Sequence, residues 1–178
     1  MNFYPRGFNL YLLGLTALCL VAVCGCASYR SKERNLAMLR VHIENRAQLQ
    51  DSGQTISLLR ANPVLVTINN EPFITEANIE DAVLLQTPGG LAVAIQLDET
   101  GAYMLEQYTA AYVGKHMVIF AQWNEKAADS RWLAAPLINH RIADGVLSFT
   151  PDASPEETRQ LVVGLNNMAK KLSTKKDK

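Results

Sequence analysis

The most reactive side chains of this sequence are three cysteine thiols, all near the N-terminus. Cys19 falls inside an unbroken apolar run from Leu10 to Val23, and Cys24 and Cys26 follow that run directly. A thiol placed there can accept a lipid, join a disulfide or bind a metal. The rest of the chain has no cysteine. The sequence therefore excludes a disulfide framework, a thiolate metal site and a thiol nucleophile from the body of the protein.

The residues before Cys26 are organised like an export signal. One basic residue, Arg6, precedes the apolar run, and no acidic residue does. The run has about 14 residues, which matches a signal-peptide core of roughly 7–15 residues better than the about 20 residues of a membrane-spanning helix. Val23-Cys24-Gly25-Cys26 then resembles the lipobox of bacterial lipoproteins. The resemblance implies that residues 1–25 are a signal peptide and that the Cys26 thiol receives a diacylglyceryl group.

Other fates of this region stay open. Cys24 is a poorer lipid site, because Val23 would stand where a small residue is wanted. Cleavage after Ala27, or retention of the apolar run as a short anchor, are the alternatives. With Cys26 lipidated, residues 26–36 form the lipidated cysteine and a polar tether to the membrane. Ala27 is not the aspartate associated with inner-membrane retention in enteric bacteria, so we expect the outer membrane, facing the periplasm.

Charge and the remaining polar residues argue against several classes of function. Lys+Arg and Asp+Glu both number 17 and the pI is near 6.8, so no net positive field draws nucleic acid. His42, His116 and His140 show no metal-ligand spacing. Gly114-Lys115 lacks the other residues of a phosphate-binding loop, and no GxSxG segment occurs. We expect no metal, no cofactor and no enzymatic activity.

The elements that position any site are predicted from hydrophobic periodicity. Alternating apolar residues in 38–44 predict a half-buried strand, with a helix over 36–50 as the alternative. One helical turn is expected at 76–80. Residues 132–138 are predicted to be extended, and Pro136 favours either an edge position or an irregular segment there, since proline cannot donate a hydrogen bond. Further strands are predicted at 55–60, 63–69, 82–86, 91–97, 117–123 and 145–150.

Two longer helices are predicted in the second half of the chain. The first covers Thr100–Tyr112, with Gly114 just past its C-terminal end. The second begins after Ser154, since Ser154, Pro155 and Glu157 form the pattern of a capping box with a preset first turn.

From about Asn62 to Ala169 the chain resembles the head subdomain of the first periplasmic domain of SecD/SecDF, membrane proteins that assist protein export. The resemblance implies an α+β fold over residues 62–172: a ferredoxin-like two-layer sandwich with a mixed or antiparallel sheet and two main helices. It rests on short segments in matching order and spacing, among them Pro63-Val64-Leu65, Glu71-Pro72-Phe73-Ile74-Thr75-Glu76, Asp98-Glu99-Thr100-Gly101-Ala102, Val113-Gly114-Lys115 and Ala135-Pro136-Leu137-Ile138.

The segments on either side of this head complete the expected organisation. Residues 37–61 are predicted to be an N-terminal β-rich extension that precedes the head. Residues 173–178 are a basic tail, which we expect to be solvated and frayed. Contact of its lysines with anionic lipid or with an acidic partner is the alternative.

The resemblance implies binding rather than catalysis. We expect a membrane-anchored lipoprotein that contacts translocated polypeptides or envelope proteins. The alternative is an accessory structural lipoprotein that docks on a larger envelope complex. Trp123 and Trp132 flank the polar loop 124–130. We expect them either to pair across a hairpin within the fold, or to form an exposed patch that grips a protein partner.

Overall fold

The structure is a computed structural model that describes residues 35–45, 53–59, 61–123 and 129–176. The predicted signal peptide (1–25), the lipid site Cys26 and residues 27–34 of the tether lie outside the described residues, so the predictions made for them stay predictions. No helix in the described part of the chain is long and apolar enough to cross a membrane.

One antiparallel sheet runs through the middle of the body. It contains β1 (Ala37–Ile43), β6 (Met117–Trp123) and β7 (Asp129–Ala134), in the order β1-β6-β7. β1 pairs with β6 along its whole length, so the strand prediction is confirmed and the helix alternative over 36–50 is wrong for this segment. β1 also places Leu39 and Val41 in the main core. It is therefore an integral part of the body, not an appendage to it.

Two further antiparallel ladders flank this sheet. β4 (Ile79–Thr87), β5 (Gly90–Leu97) and β8 (Val146–Phe149) form a sheet in the order β4-β5-β8. β2 (Gly53–Leu58) and β3 (Val64–Asn69) form a two-stranded ladder. The predicted helical turn is a single 3₁₀ turn, Glu76–Asn78.

Both predicted α-helices are present, the first shifted by one residue from the predicted Thr100–Tyr112. α1 (Glu99–Ala111) starts after Asp98, whose side chain accepts a hydrogen bond of 2.8 Å from the Gly101 N–H. α2 (Pro155–Lys176) starts with the predicted capping box. Its Ser154 hydroxyl accepts from the Glu157 N–H at 3.2 Å, and the Glu157 carboxylate accepts from the Ser154 N–H at 2.7 Å. α2 continues to Lys176, so residues 173–176 of the predicted tail are helical rather than frayed.

The extended segment 132–138 stops being a strand at Ala134, where β7 ends. Pro136 follows, and beyond it only Leu137 makes an isolated bridge, to His116. The missing proline N–H explains why the ladder does not continue. Gly145, at φ +70, then turns the chain into β8; a Cβ there would lie 2.9 Å from the Cβ of Ala102, so any other residue would be strained.

The α+β two-layer arrangement is confirmed, with every described strand pair antiparallel. The main core brings strands and both helices together through residues such as Val41, Ile95, Ile119, Leu105 and Leu165. A second, smaller cluster joins the β2–β3 ladder to the other face of the β1-β6-β7 sheet through Ile56, Leu58, Ile68 and Val118.

Candidate functional site

The predicted tryptophan patch does not form an exposed pair. Trp123 is 1% exposed and lies in the main core, while Trp132 is half-buried and packs on the smaller cluster. Trp123 stands opposite Asp129 in the β6–β7 ladder, and Trp132 stands opposite Phe120. Residues 120 and 123 of a strand point to opposite faces, so the two indoles lie on opposite faces of the sheet. The patch hypothesis is therefore wrong for the pair, and Trp123 is a core residue.

The surroundings of Trp132 are also structural. Its ring lies 5.1 Å from the Phe120 ring and makes an edge contact with the His42 ring at 5.3 Å. The His42 Nδ1–H donates to the Asn69 carbonyl at 2.8 Å. Burial lowers the pKa of His42 below its usual 6.5, helped by the charge of Arg40, while the bond to Asn69 acts the other way. A neutral, packed histidine of this kind fills space rather than binding a ligand.

A polar groove of about 620 Å³ opens between the end of β1 and the end of α1. Two contacts order its aromatic side. The Phe73 ring stacks on the Tyr108 ring at 4.3 Å, and Lys115 Nζ lies 4.9 Å from the centre of the Tyr112 ring. Its other side carries the neutral amides of Asn45, Asn69 and Asn70, together with Glu71. This lining offers hydrogen bonds but no nucleophile paired with a base.

Glu44 and His116 are sequence neighbours of residues that line the groove, and they join the end of β1 to the start of β6. One Glu44 carboxylate oxygen accepts from the His116 ring at 2.7 Å and from the His116 backbone N–H at 3.0 Å. Burial alone would raise the pKa of Glu44, but the hydrogen bonds from His116 outweigh it and hold the pKa below its usual value. The pair thus fixes two chain segments together. Within the described residues no cluster of three His, Cys, Asp or Glu side chains could hold a metal ion.

The outer edge of β4 combines exposed apolar side chains with open backbone. Val83, Leu84 and Leu85 are consecutive and are 45%, 37% and 40% exposed. A strand sends successive side chains to opposite faces, so apolar surface is exposed on both faces here. β5 is the only described strand that pairs with β4. The side of β4 away from β5 is therefore a sheet edge.

The start of this edge is closed by a side chain from α2. Asn166 donates from Nδ2 to the Ala82 carbonyl and accepts at Oδ1 from the Ala82 N–H, both at 2.8 Å. The amide thus occupies the position that a neighbouring strand's backbone would take. Because the outward direction alternates along an antiparallel strand, Leu84 and Gln86 also point their N–H and C=O groups outward. Beyond the Asn166 clamp, no described strand pairs with this edge.

Sequence reasoning found β4 but not this edge. An apolar run such as Val83-Leu84-Leu85 is typical of a buried strand, and nothing local marks it as exposed. The Asn166 contact joins residues 84 positions apart, which periodicity cannot reveal. The only local signal is the Thr87-Pro88-Gly89-Gly90 turn, which places the run next to a hairpin end.

The fold defines the class of protein: a small α+β domain of antiparallel sheets and two helices, with one sheet edge at β4 that no other described strand covers. The chain belongs to the SecDF, P1 head subdomain family, which matches residues 47–169. The match begins inside the predicted N-terminal extension, in keeping with the integration of the first strands into the body.

Two solved structures resemble this chain. One, described as a membrane component SecDF that enhances protein export, is 18% identical with a TM-score of 0.53 and covers 77% of this chain and 65% of its own. The other, SecDF in a super-membrane-facing form, is also 18% identical with a TM-score of 0.53 and covers 75% of this chain and 19% of its own. The chain thus spans less than two thirds of each. No curated protein matches it. At this identity the likeness shows the fold.

Proposed function

We propose that this protein is a membrane-tethered lipoprotein whose head binds extended segments of translocated polypeptides along the outer edge of β4. The lipid on Cys26 holds it on the outer membrane, facing the periplasm. Membership of the SecDF head family supports a role in protein export, since a relative is described as enhancing protein export. The proposal includes no enzymatic step, no metal and no cofactor.

The observation that carries the proposal is the open edge beside the Asn166 clamp. An exported chain has no fixed sequence, so a site that receives many of them needs contacts that every polypeptide offers. Outward N–H and C=O groups at Leu84 and Gln86 provide such contacts by strand addition. The exposed side chains of Val83 and Leu85 add apolar contact for whatever side chains arrive.

Proline variants test the edge directly. Leu84→Pro and Gln86→Pro each remove one outward N–H, while the bonds from β4 to β5 come from the alternate residues and are kept. The full chain is cross-linked in vitro to reduced, carboxymethylated α-lactalbumin, which cannot refold. We expect at least a fivefold lower cross-linking yield for each variant.

The matched control is Leu65→Lys, because Leu65 is 74% exposed but lies on β3. Its yield should stay within about twofold of the wild type. Circular dichroism at the cross-linking temperature shows whether each variant is folded. If Leu84→Pro is unfolded, the test rests on Gln86→Pro, which lies near the hairpin end and disturbs the strand less. Folded proline variants that cross-link as well as the wild type would contradict the proposal.

A second candidate function is structural docking on one larger envelope complex. It is favoured by a different apolar surface, the end of the β2–β3 ladder, where Leu59, Val64 and Leu65 are all exposed. Photo-cross-linking in cells from position 65 would then yield one stoichiometric partner. Many polypeptide clients captured from position 84 would favour the binding function instead.

A further inference from the structure

Asn35, the first described residue, contacts the C-terminal half of α2. Asn167 donates from Nδ2 to the Asn35 carbonyl at 3.0 Å. Three residues earlier on the same helix, a Cβ on Gly164 would lie 2.8 Å from the Cβ of Ala37 and 3.0 Å from its backbone nitrogen. The point at which the chain enters the body is therefore fixed on the Gly164–Asn167 face of α2.

Two exposed lysines continue that face toward the helix end. Asn167, Lys171 and Lys175 are spaced four residues apart, so they lie along one ridge of the helix. Lys171 and Lys175 are both exposed. No acidic residue occurs between Asn166 and Lys176. Lys170 is also exposed but faces another way, since it lines a cavity with Glu80 and Asp98.

A position near the helix C-terminus suits lysine on any face, because the helix dipole favours positive charge there. The dipole does not explain why the basic ridge coincides with the point of chain entry. The tether between Cys26 and Asn35 is short: at 3.3–3.6 Å per residue it reaches at most about 30 Å. A surface beside the entry point is thus the part of the body that such a tether keeps nearest to the membrane.

We propose that the basic ridge of α2, Lys171 and Lys175, docks on anionic phospholipid headgroups of the membrane that anchors the chain. This inference rests on the lipid anchor of the proposed function. The lipid supplies the attachment, so the two lysines need only orient the head, and each contributes about a fivefold preference for an anionic surface. Without an anchor, two lysines would be too few to hold the protein on a membrane.

The test measures lysine reactivity on vesicles. Full chain purified from membranes is reconstituted into phosphatidylcholine vesicles, with or without about 30% phosphatidylglycerol. Lysine acetylation by a water-soluble reagent is followed by mass spectrometry. We expect Lys171 and Lys175 to react at least about fivefold more slowly on the anionic vesicles. High salt should remove most of this protection, because exposed charges are screened.

Internal controls come from lysines on other faces. Lys170, next to Lys171 but on the cavity side, and Lys115, which lines the polar groove, should change by less than about twofold. The helix end should be less accessible on anionic than on neutral vesicles, as read from hydrogen-exchange protection of the Ser173–Lys175 backbone amides. The double charge reversal Lys171→Glu with Lys175→Glu should abolish this difference. Lys170→Glu should leave it.

Equal reactivity of Lys171 and Lys175 on both vesicles would overturn the inference. Protection relative to the vesicle-free protein that is the same on both kinds of vesicle would also overturn it, since it would indicate contact between proteins. Protection found only in native membranes would overturn it too, since it would indicate an acidic protein partner. The same preparation shows by its N-terminal mass whether Cys26 is lipidated. A lipidated but unprotected protein overturns this inference alone, whereas an unlipidated one overturns the anchor as well. Polypeptide cross-linking at β4 stays a separate readout.

Discussion

Replacing Asn166 with leucine should weaken the fold without weakening polypeptide binding by the molecules that stay folded. The Asn166 amide makes two hydrogen bonds of 2.8 Å to the backbone of Ala82. Leucine has a similar size but offers neither a donor nor an acceptor. The N–H and C=O of Ala82 then lose their partners, while the open edge at Leu84 and Gln86 is left as it was.

The expected magnitude follows from the burial of Ala82. Ala82 is 2% exposed, so water cannot readily replace the lost bonds. A backbone group left without a partner costs about 1–3 kcal/mol. The extra apolar contact of leucine offsets part of this, and we expect a net loss of about 2–4 kcal/mol in the free energy of unfolding. For a domain of roughly 150 residues that corresponds to a Tm lower by about 5–15 °C.

Thermal and urea unfolding followed by circular dichroism measure this loss, with α-lactalbumin cross-linking run below the onset of unfolding. Asn167→Leu is the matched control on the next residue; it removes one hydrogen bond, to Asn35, and should cost about 1 kcal/mol. Asn166→Asp keeps the acceptor for the Ala82 N–H but sets a carboxylate against the Ala82 carbonyl. Its stability should recover partly on acidification, when the carboxyl group can donate.

A Tm of Asn166→Leu within about 2 °C of the wild type would refute the role of Asn166 as a clamp on the strand edge. A fully folded variant with lost cross-linking would refute the separation between the clamp and the open edge.

Three further predictions concern other contacts. Gly164→Ala should lower stability by about 1–3 kcal/mol despite the better helix propensity of alanine, because its Cβ would meet Ala37 at 2.8 Å; a higher Tm would contradict this packing. The Ser154 N–H, then the Arg131 guanidinium, lower the pKa of Glu157 from 4.5 to about 2, so its stabilising effect is complete above pH 4.5 and is lost as the pH falls toward 2. Glu157→Gln should flatten the plot of Tm against pH in that range, and an unchanged slope would exclude Glu157 as the source. Mass spectrometry of the mature N-terminus should find a diacylglyceryl group on Cys26, and an unmodified terminus at Ser28 would refute the lipid.

Local signals predicted most elements, because each element is determined mainly by its own residues. The alternation in residues 38–44 identified β1, whose odd-numbered residues lie in the main core. Ser154, Pro155 and Glu157 identified the start of α2, since a capping box involves only neighbours in sequence. The family resemblance supplied the class of fold that these elements form.

The features that depend on distant contacts could not be predicted in this way. The β6–β7 hairpin closes with Trp123 opposite Asp129, so the partner of Trp132 is Phe120 rather than Trp123. The composition of the loop between the tryptophans gives no sign of this register. The exposure of Val83–Leu85 depends likewise on which elements cover β4, and that is settled by tertiary packing rather than by the strand's own residues.

Helix α2 determines how the two proposed surfaces are placed relative to each other. Asn166 faces β4, and its neighbour Asn167 faces the chain entry at Asn35. At 3.6 residues per turn, Lys171 and Lys175 lie about 140° and 180° around the helix from Asn166. If the lysine ridge lies on the membrane, the side of α2 that holds β4 faces away from it. The open edge is then presented to the aqueous space, where an emerging polypeptide can pair with it before it folds.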